Sequence, residues 1–330
     1  MRKYRMMMAI LMLALTTLLV AACRQPEVNQ ELRPVTLVLD WTPNTNHTGL
    51  YVAQAKGYFK DQGLDVTIML PGDAGVIQTV ASGNAHFGVS YQEELTLARV
   101  QDVPAISIAA VIQHNTSGFA SPAHKNIKSP KDFVGKTYGG WGSPVEEAVI
   151  ESVMQLEGAS ASDVNFINIG DVDFFTAVQR DIDFAWAFYA WTGIEAELRD
   201  FPLNMIYVKD LSPQLDYYTP ILITSEELAT EDPELVKAFM AAVTLGYEFA
   251  IANPEAAAEI LIAAEPDLDP ELVRASQLWL ADKYQDDAPR WGEQKLEVWQ
   301  GYTDWMLSKG LLEKEIDVKQ AFTNDFLPAR

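Results

Sequence analysis

Short β-branched and apolar runs alternate with helix-period stretches along most of this chain, and that alternation constrains its fold more than any other feature. Residues 35–39 (VTLVL), 65–70 (DVTIML), 87–91 (FGVSY) and 105–112 read as strands, with helices at 47–60, 76–82 and 93–99 between them. Strand and helix alternating at short spacing is what a parallel sheet needs, because each crossover must carry the chain back to the same end of the sheet. A second unit of the same kind opens after Ser121-Pro122. It has strands at 136–138, 164–169, 184–188, 203–208 and 218–224, and helices from Ser143 or Pro144 to 157 and over 173–180.

From Ser225 onward the pattern is helical only. Three helices open alike, on Asp232-Pro233-Glu234, Asn253-Pro254-Glu255 and Asp269-Pro270-Glu271. Each places an Asx residue at the N-cap, proline at the first helical position and an acid in the first turn, where capping and the helix dipole favour them. A tail without strands must pack on a unit that has them. The expected fold is therefore α/β with two lobes, 35–120 plus 225–330 and 121–224. Two crossings join them, near 117–122 and 218–225, and the helical C-terminal tail packs on the first lobe. Ligands of open α/β sheets bind beyond the carboxyl ends of the strands, so facing lobes would hold one between them.

The N-terminus reads MRKYRMMMAILMLALTTLLVAAC. Arg2, Lys3 and Arg5 precede an apolar stretch that closes on small residues before Cys23, the pattern of a secretory signal over 1–22. Val20-Ala21-Ala22-Cys23 matches a bacterial lipobox, so Cys23 is the expected lipidation site, followed by a polar tether to residue 34. The mature chain is thereby expected to be exported and lipid-anchored to the outer face of the cell membrane. No later segment reads as a membrane span. With a single cysteine, internal disulfides, cysteine-based zinc sites and iron–sulfur clusters are excluded.

Of 330 residues, 46 are acidic and 24 basic, a formal charge of −22. Such a charge repels phosphate backbones, which excludes nucleic acid as a partner. The four histidines are scattered without metal-ligand spacing, and no nucleophile elbow is present. Neither a metal nor a cofactor is expected, and the chain does not read as an enzyme.

Strand ends supply the candidate site. The first strand offers Asp40 and Trp41, with Asn44 and His47 on the loop beyond; the third offers Ser90, Tyr91, Gln92 and Glu93. In the second lobe Tyr138-Gly139-Gly140-Trp141-Gly142-Ser143 joins a strand to a helix, and its glycines let backbone N–H groups approach a ligand ahead of a helix N-terminus. Glu146 and Glu147 on that helix repel phosphate. The next strand end offers Tyr189, Trp191 and Glu195. Trp41, Tyr91, Tyr138, Trp141, Tyr189 and Trp191 are the expected stacking rings, and Asp40, Asn44, His47, Glu147 and Glu195 the polar groups. Such a lining suits a flat, neutral or weakly basic heteroaromatic ligand.

The stretch LDWTPNTNHTGLYVAQAKGYFKDQGLDV, with 81–91, 138–147 and 183–195, resembles the family that unites thiamine-precursor-binding lipoproteins with fungal thiamine-pyrimidine synthases. That family lies within the sulfonate- and nitrate-type periplasmic binding proteins. The resemblance implies the type II periplasmic binding fold, a monomer closing on a vitamin or its precursor, and an ABC permease with its ATPase as partners. Where the fungal branch has a pyridoxal-phosphate lysine and a substrate histidine, this chain has Ser90 and Glu94, which argues against a synthase. Six candidate rings exceed what one pyrimidine needs, and overall likeness favours the riboflavin-binding branch. Riboflavin is accordingly the expected ligand, and the formylaminopyrimidine of thiamine salvage the alternative.

Overall fold

The computed structural model describes residues 31–329 except Asp171, so the signal and Cys23 lie outside the described residues. Arg33–Arg330 forms one compact unit containing two five-stranded sheets. The first uses β1 (Arg33–Val38), β2 (Leu64–Met69), β3 (Phe87–Ser90), β4 (Ala105–Ala110) and β10 (Ile221–Ser225), in the order β2-β1-β3-β10-β4. The second uses β5 (Ser117–Pro122), β6 (Thr137–Gly140), β7 (Asn165–Asn168), β8 (Phe184–Phe188) and β9 (Leu203–Tyr207), in the order β7-β6-β8-β5-β9.

The two sheets repeat one plan. In each, the first three strands run parallel, and the fourth position is taken by an antiparallel strand that arrives from the other lobe: β10 in the first sheet, β5 in the second. This corrects the expected boundaries at 120/121 and 224/225, which fall inside β5 and β10. The runs 117–122 and 218–225 contain sheet strands, because each crossing segment pairs on both sides as soon as it enters its new lobe. The crossings precede them and are tied together. Asn115 N–H donates to Asp216 Oδ1 at 2.8 Å, and Asn115 Nδ2 donates to the Leu215 carbonyl at 3.0 Å.

The helices that position the site are α1 (Thr48–Ala55), α2 (Val76–Ala81), α3 (Gln92–Val100), α4 (Pro144–Leu156) and α5 (Phe174–Arg180). The expected long helix over 47–60 divides, because Gly57 takes a left-handed φ of 78° and begins a separate turn over Tyr58–Asp61. The tail contains α6 (Pro233–Ala252), α7 (Pro254–Ala264), α8 (Pro270–Leu280) and α9 (Leu296–Ser308). Asp232 and Asp269 cap as the sequence predicts, accepting from Leu235 N–H and from Glu271 and Leu272 N–H. Asn253 instead turns its amide back to the Phe249 carbonyl.

By length and composition α6 passes as a membrane span, contrary to the sequence reading, but it is a core helix of the first lobe. Its Phe239 stacks on Phe87 of β3 at 3.7 Å between ring centres. α6 crosses α1 so closely that a Cβ on Gly246 would lie 2.0 Å from the Gly49 carbonyl oxygen, which only glycine permits. α9 carries Trp299 into the core of the first sheet, and Tyr302, Trp305 and Met306 against that of the second. The tail thus packs on the first lobe and also braces the hinge.

Candidate functional site

Asp40 follows β1 directly, and the next loop is folded to hold it. Asn44 is 5 % exposed and caps the turn at 45–47 by accepting from Asn46 N–H at 2.9 Å. His47 is fully buried; its Nδ1 accepts from Asn44 N–H at 3.2 Å, so the proton sits on Nε2, which donates to Asp40 Oδ1 at 2.6 Å. The Tyr91 hydroxyl donates to the same carboxylate. Burial opposes ionisation of Asp40, but His47 and Tyr91 outweigh it and hold its pKa below the ordinary value. Asn44 and His47 therefore serve the loop, with both imidazole nitrogens occupied, and the Asp40 side chain, 4 % exposed, is nearly enclosed with them.

The start of α3 brings two further carboxyls. Ser90 Oγ donates to Glu94 Oε2 at 3.1 Å, and the Tyr217 hydroxyl, from the return crossing, lies 3.5 Å from Glu93 Oε2. Glu94 is exposed. Burial and the adjacent Glu94 push Glu93 from 4.5 up to about 7, with Glu146 adding to the rise. Burial raises Glu94 as well, and Asp40 contributes.

Glu146, on the second lobe, is 4 % exposed. It accepts from the Tyr138 hydroxyl at 2.5 Å and from Gly142 and Ser143 N–H at 2.9 Å each, closing a capping box with Ser143 at the start of α4. A Cβ on Gly140 would fall 2.3 Å from Glu146 Oε1. The glycine loop therefore cradles this protein carboxylate. Glu146, from the second lobe, adds to the rise at Glu93, so carboxyls of the two lobes lie near one another. No lysine or arginine is among the groups that shift Asp40, Glu93 and Glu94.

The structure disperses several expected residues. Glu147 points to solvent, because one residue along a helix is a rotation of about 100°. Tyr138 is 1 % exposed, with its ring in a cluster with Phe119, Phe166 and Phe184, so it does not stack on a ligand. Tyr189 bonds Glu197 and packs against Tyr207 and Trp279. Trp191 packs on the core of the first lobe, and Glu195 pairs with Arg199. Next to them, Ser276 of α8 bridges the Ala190 carbonyl and Thr45, so the lobes touch directly there. Trp41 and Trp141 remain half-exposed, at 51 % and 53 %, beyond β1 and β6, the equivalent strands of the two sheets. Glu94 and Glu146 were outside the expected set.

A separate recess of about 250 Å³ lies at the hinge, lined by His114, Thr116, Tyr207, Lys209, Trp279 and Lys283 among others. Among the described residues no cluster of histidine, cysteine and carboxylate has metal-site geometry.

Two α/β lobes of one topology, joined by two crossings, define a periplasmic-binding-protein fold. The alkanesulfonate-binding protein SsuA of Xanthomonas axonopodis pv. citri, solved with MOPS, shares it with a TM-score of 0.68 at 14 % identity, over 89 % of this chain and 99 % of that one. The family model NMT1/THI5 like matches residues 44–257, and the chain belongs to that family. A formylaminopyrimidine-binding protein of Halalkalibacterium halodurans is 30 % identical over 96 % of this chain and 98 % of its own length. The riboflavin-binding protein RibY of Chloroflexus aurantiacus is 26 % identical, over 93 % and 90 %. Synthases of hydroxymethylpyrimidine phosphate occur among the other relatives.

Proposed function

We propose that the chain is the extracytoplasmic binding component of an ABC importer, anchored by lipid on Cys23, that captures a formylated aminopyrimidine between its lobes and presents it to a permease. The observation that carries this reading is the 30 % identity, over 96 % of this chain, to a formylaminopyrimidine-binding protein. Carboxyls with no lysine or arginine acting on them suit a ligand rich in N–H donors. An aminopyrimidine offers both an exocyclic amine and a basic ring nitrogen.

Riboflavin had rested on six stacking rings. With Tyr138 in the core and Tyr189 and Trp191 packed elsewhere, Trp41, Tyr91 and Trp141 are left, enough to sandwich one small ring. The likeness to the formylaminopyrimidine-binding protein points the same way. A binding role fits better than a synthase, since Ser90 and Glu94 bond to each other where the enzymatic branch has its lysine and histidine.

The test is a fluorescence titration of the domain from Arg24 with the formylaminopyrimidine and with riboflavin. Saturable one-to-one binding of the pyrimidine at micromolar concentration or below, with riboflavin silent, is expected. The reverse pattern returns the assignment to riboflavin, and turnover of the pyrimidine would make the protein an enzyme.

A further inference from the structure

β8 belongs to the second lobe, yet the turn that follows it, Tyr189–Gly193, is seated in the first. Tyr189 N–H donates to the Thr116 carbonyl of the first crossing at 3.2 Å. One residue on, Ala190 is 4 % exposed among the buried apolar side chains of the first lobe, and Trp191 packs against the same cluster. The turn is a single π-helical one, a wide and uncommon geometry that recurs at functional sites. It is also crowded: a Cβ on Gly193 would fall 2.4 Å from the Tyr189 ring.

The seat is polar as well as apolar. Ser276 of α8 is fully buried, and its hydroxyl donates to the Ala190 carbonyl. A serine hydroxyl has one hydrogen to give, so Thr45 is the donor in the 2.6 Å contact between Thr45 Oγ1 and Ser276 Oγ. Thr45 stands in the loop that holds His47 and, through it, Asp40. The tail fixes that loop twice more: Tyr284 O–H donates to the Thr45 carbonyl at 2.5 Å, and Tyr247 O–H to the Asn46 carbonyl at 2.7 Å. Three positions along α8 from Ser276, on the same helix face, Trp279 packs on Tyr189 at 5.1 Å between ring centres. Hydrogen bonds between buried groups thus run from a backbone carbonyl of the second lobe to the loop beside Asp40 in the first.

We propose that Ser276 is a positioning residue for ligand capture: by holding the turn Tyr189–Gly193 it fixes the angle between the lobes and ties that angle to the loop carrying His47. This rests on the reading of the chain as a two-lobed binding protein and goes beyond it. A rotation that carries β8 with the second lobe must either draw Ala190 and Trp191 out of the first lobe or bend the turn. The first leaves Ser276 Oγ and the Ala190 carbonyl without each other, which a buried pair resists; crowding at Gly193 resists the second. Lobes held at one angle lose less freedom when a ligand bridges them, so Ser276 raises affinity without touching the ligand. The net worth of one hydrogen bond, about tenfold in an equilibrium, is the preference it adds.

The experiment measures the distance between spin labels on the two lobes. The domain from Arg24 lacks the chain's single cysteine, so Lys60→Cys and Lys131→Cys, exposed on the first and second lobes, take the labels alone. Without ligand the parent gives one narrow distance distribution and Ser276→Ala a broadened one, which saturating formylaminopyrimidine narrows again. Affinity of Ser276→Ala for that compound is about tenfold weaker. A broad distribution in the parent overturns the proposal. So does a Ser276→Ala protein that loses stability in urea while its distances and affinity stay those of the parent, since that is a merely structural role. Gly193→Ala disturbs the same turn from the second lobe, by displacing the Tyr189 ring, and broadens the distribution as well; it decides the matter should Ser276→Ala not fold. Parent-like distances in either folded variant overturn the proposal. If the parent binds no formylaminopyrimidine the ligand assignment falls, and the ligand-free distances still judge Ser276.

Discussion

Without any ligand, Glu93→Gln should stabilise the protein at alkaline pH and leave it unchanged at acid pH. In the folded chain the Glu93 carboxyl is pushed from 4.5 to about 7, by burial first and by Glu94 next. The folded state therefore binds a proton there that the unfolded state has released, so stability falls as pH rises from 4.5 and levels off above 7. The 2.5-unit difference corresponds to about 3 kcal/mol once both states are ionised. Glutamine is nearly isosteric with the neutral acid and does not titrate. The gap between variant and parent should thus grow from near zero at pH 4.5 to about 3 kcal/mol at pH 8.5. With a denaturant slope on the order of 3 kcal/mol/M, that is a rise of about 1 M in the urea midpoint. Urea unfolding followed by tryptophan fluorescence at the two pH values measures it. Taking the difference between the two proteins cancels the other titrating groups. A gap that does not change with pH, or a parent more stable than the variant at pH 8.5, would refute the reasoning.

Further outcomes follow from the same geometry. Glu146→Ala strands the Tyr138 hydroxyl and two backbone N–H groups at the start of α4, and should cost about 3 kcal/mol by urea unfolding; a loss under about 1 kcal/mol would place these groups in water. Trp41→Ala and Trp141→Ala should each weaken aminopyrimidine binding by ~1–3 kcal/mol. Both rings are half-exposed, so melting should stay within about 0.5 kcal/mol of the parent; lower stability with unchanged affinity would make them packing residues. At the hinge, His114 Nδ1 lies 2.6 Å from Asp216 Oδ2, and this bond raises its pKa above 6.5. Its contribution is then complete below pH 6.5 and lost as pH rises through the folded value. Melting of the parent should fall relative to Asp216→Asn between pH 6 and 8, and parallel curves would contradict the pairing.

The lobes were legible because they follow from local pattern. Alternation of apolar runs with helical stretches gave β1 to β4 and β6 to β9 within a few residues, and Asp-Pro-Glu marked the starts of α6 and α8. β5 was misjudged as a linking segment, and the strand expected over 218–224 was given to the second lobe, because membership of a sheet depends on partners far along the chain. Asp40 and Tyr91 were legible as strand-end residues. Glu146 was mistaken for Glu147 because the phase of α4 is set by a capping box whose partner, Ser143, reads equally well as loop. Tyr138 was misread because the end of its strand is packed inside: its ring lies among Phe119, Phe166 and Phe184, and its hydroxyl is taken by Glu146. Glu94 and Glu146 were not legible. In a chain with 46 acidic residues, nothing local separates them from solvated neighbours.

A crystal structure of the domain with the formylaminopyrimidine bound decides where the ligand sits. The ring is expected between the lobes, against Trp41 and Trp141. Density for the ring in the hinge recess of His114, Trp279 and Lys283 instead would contradict that placement.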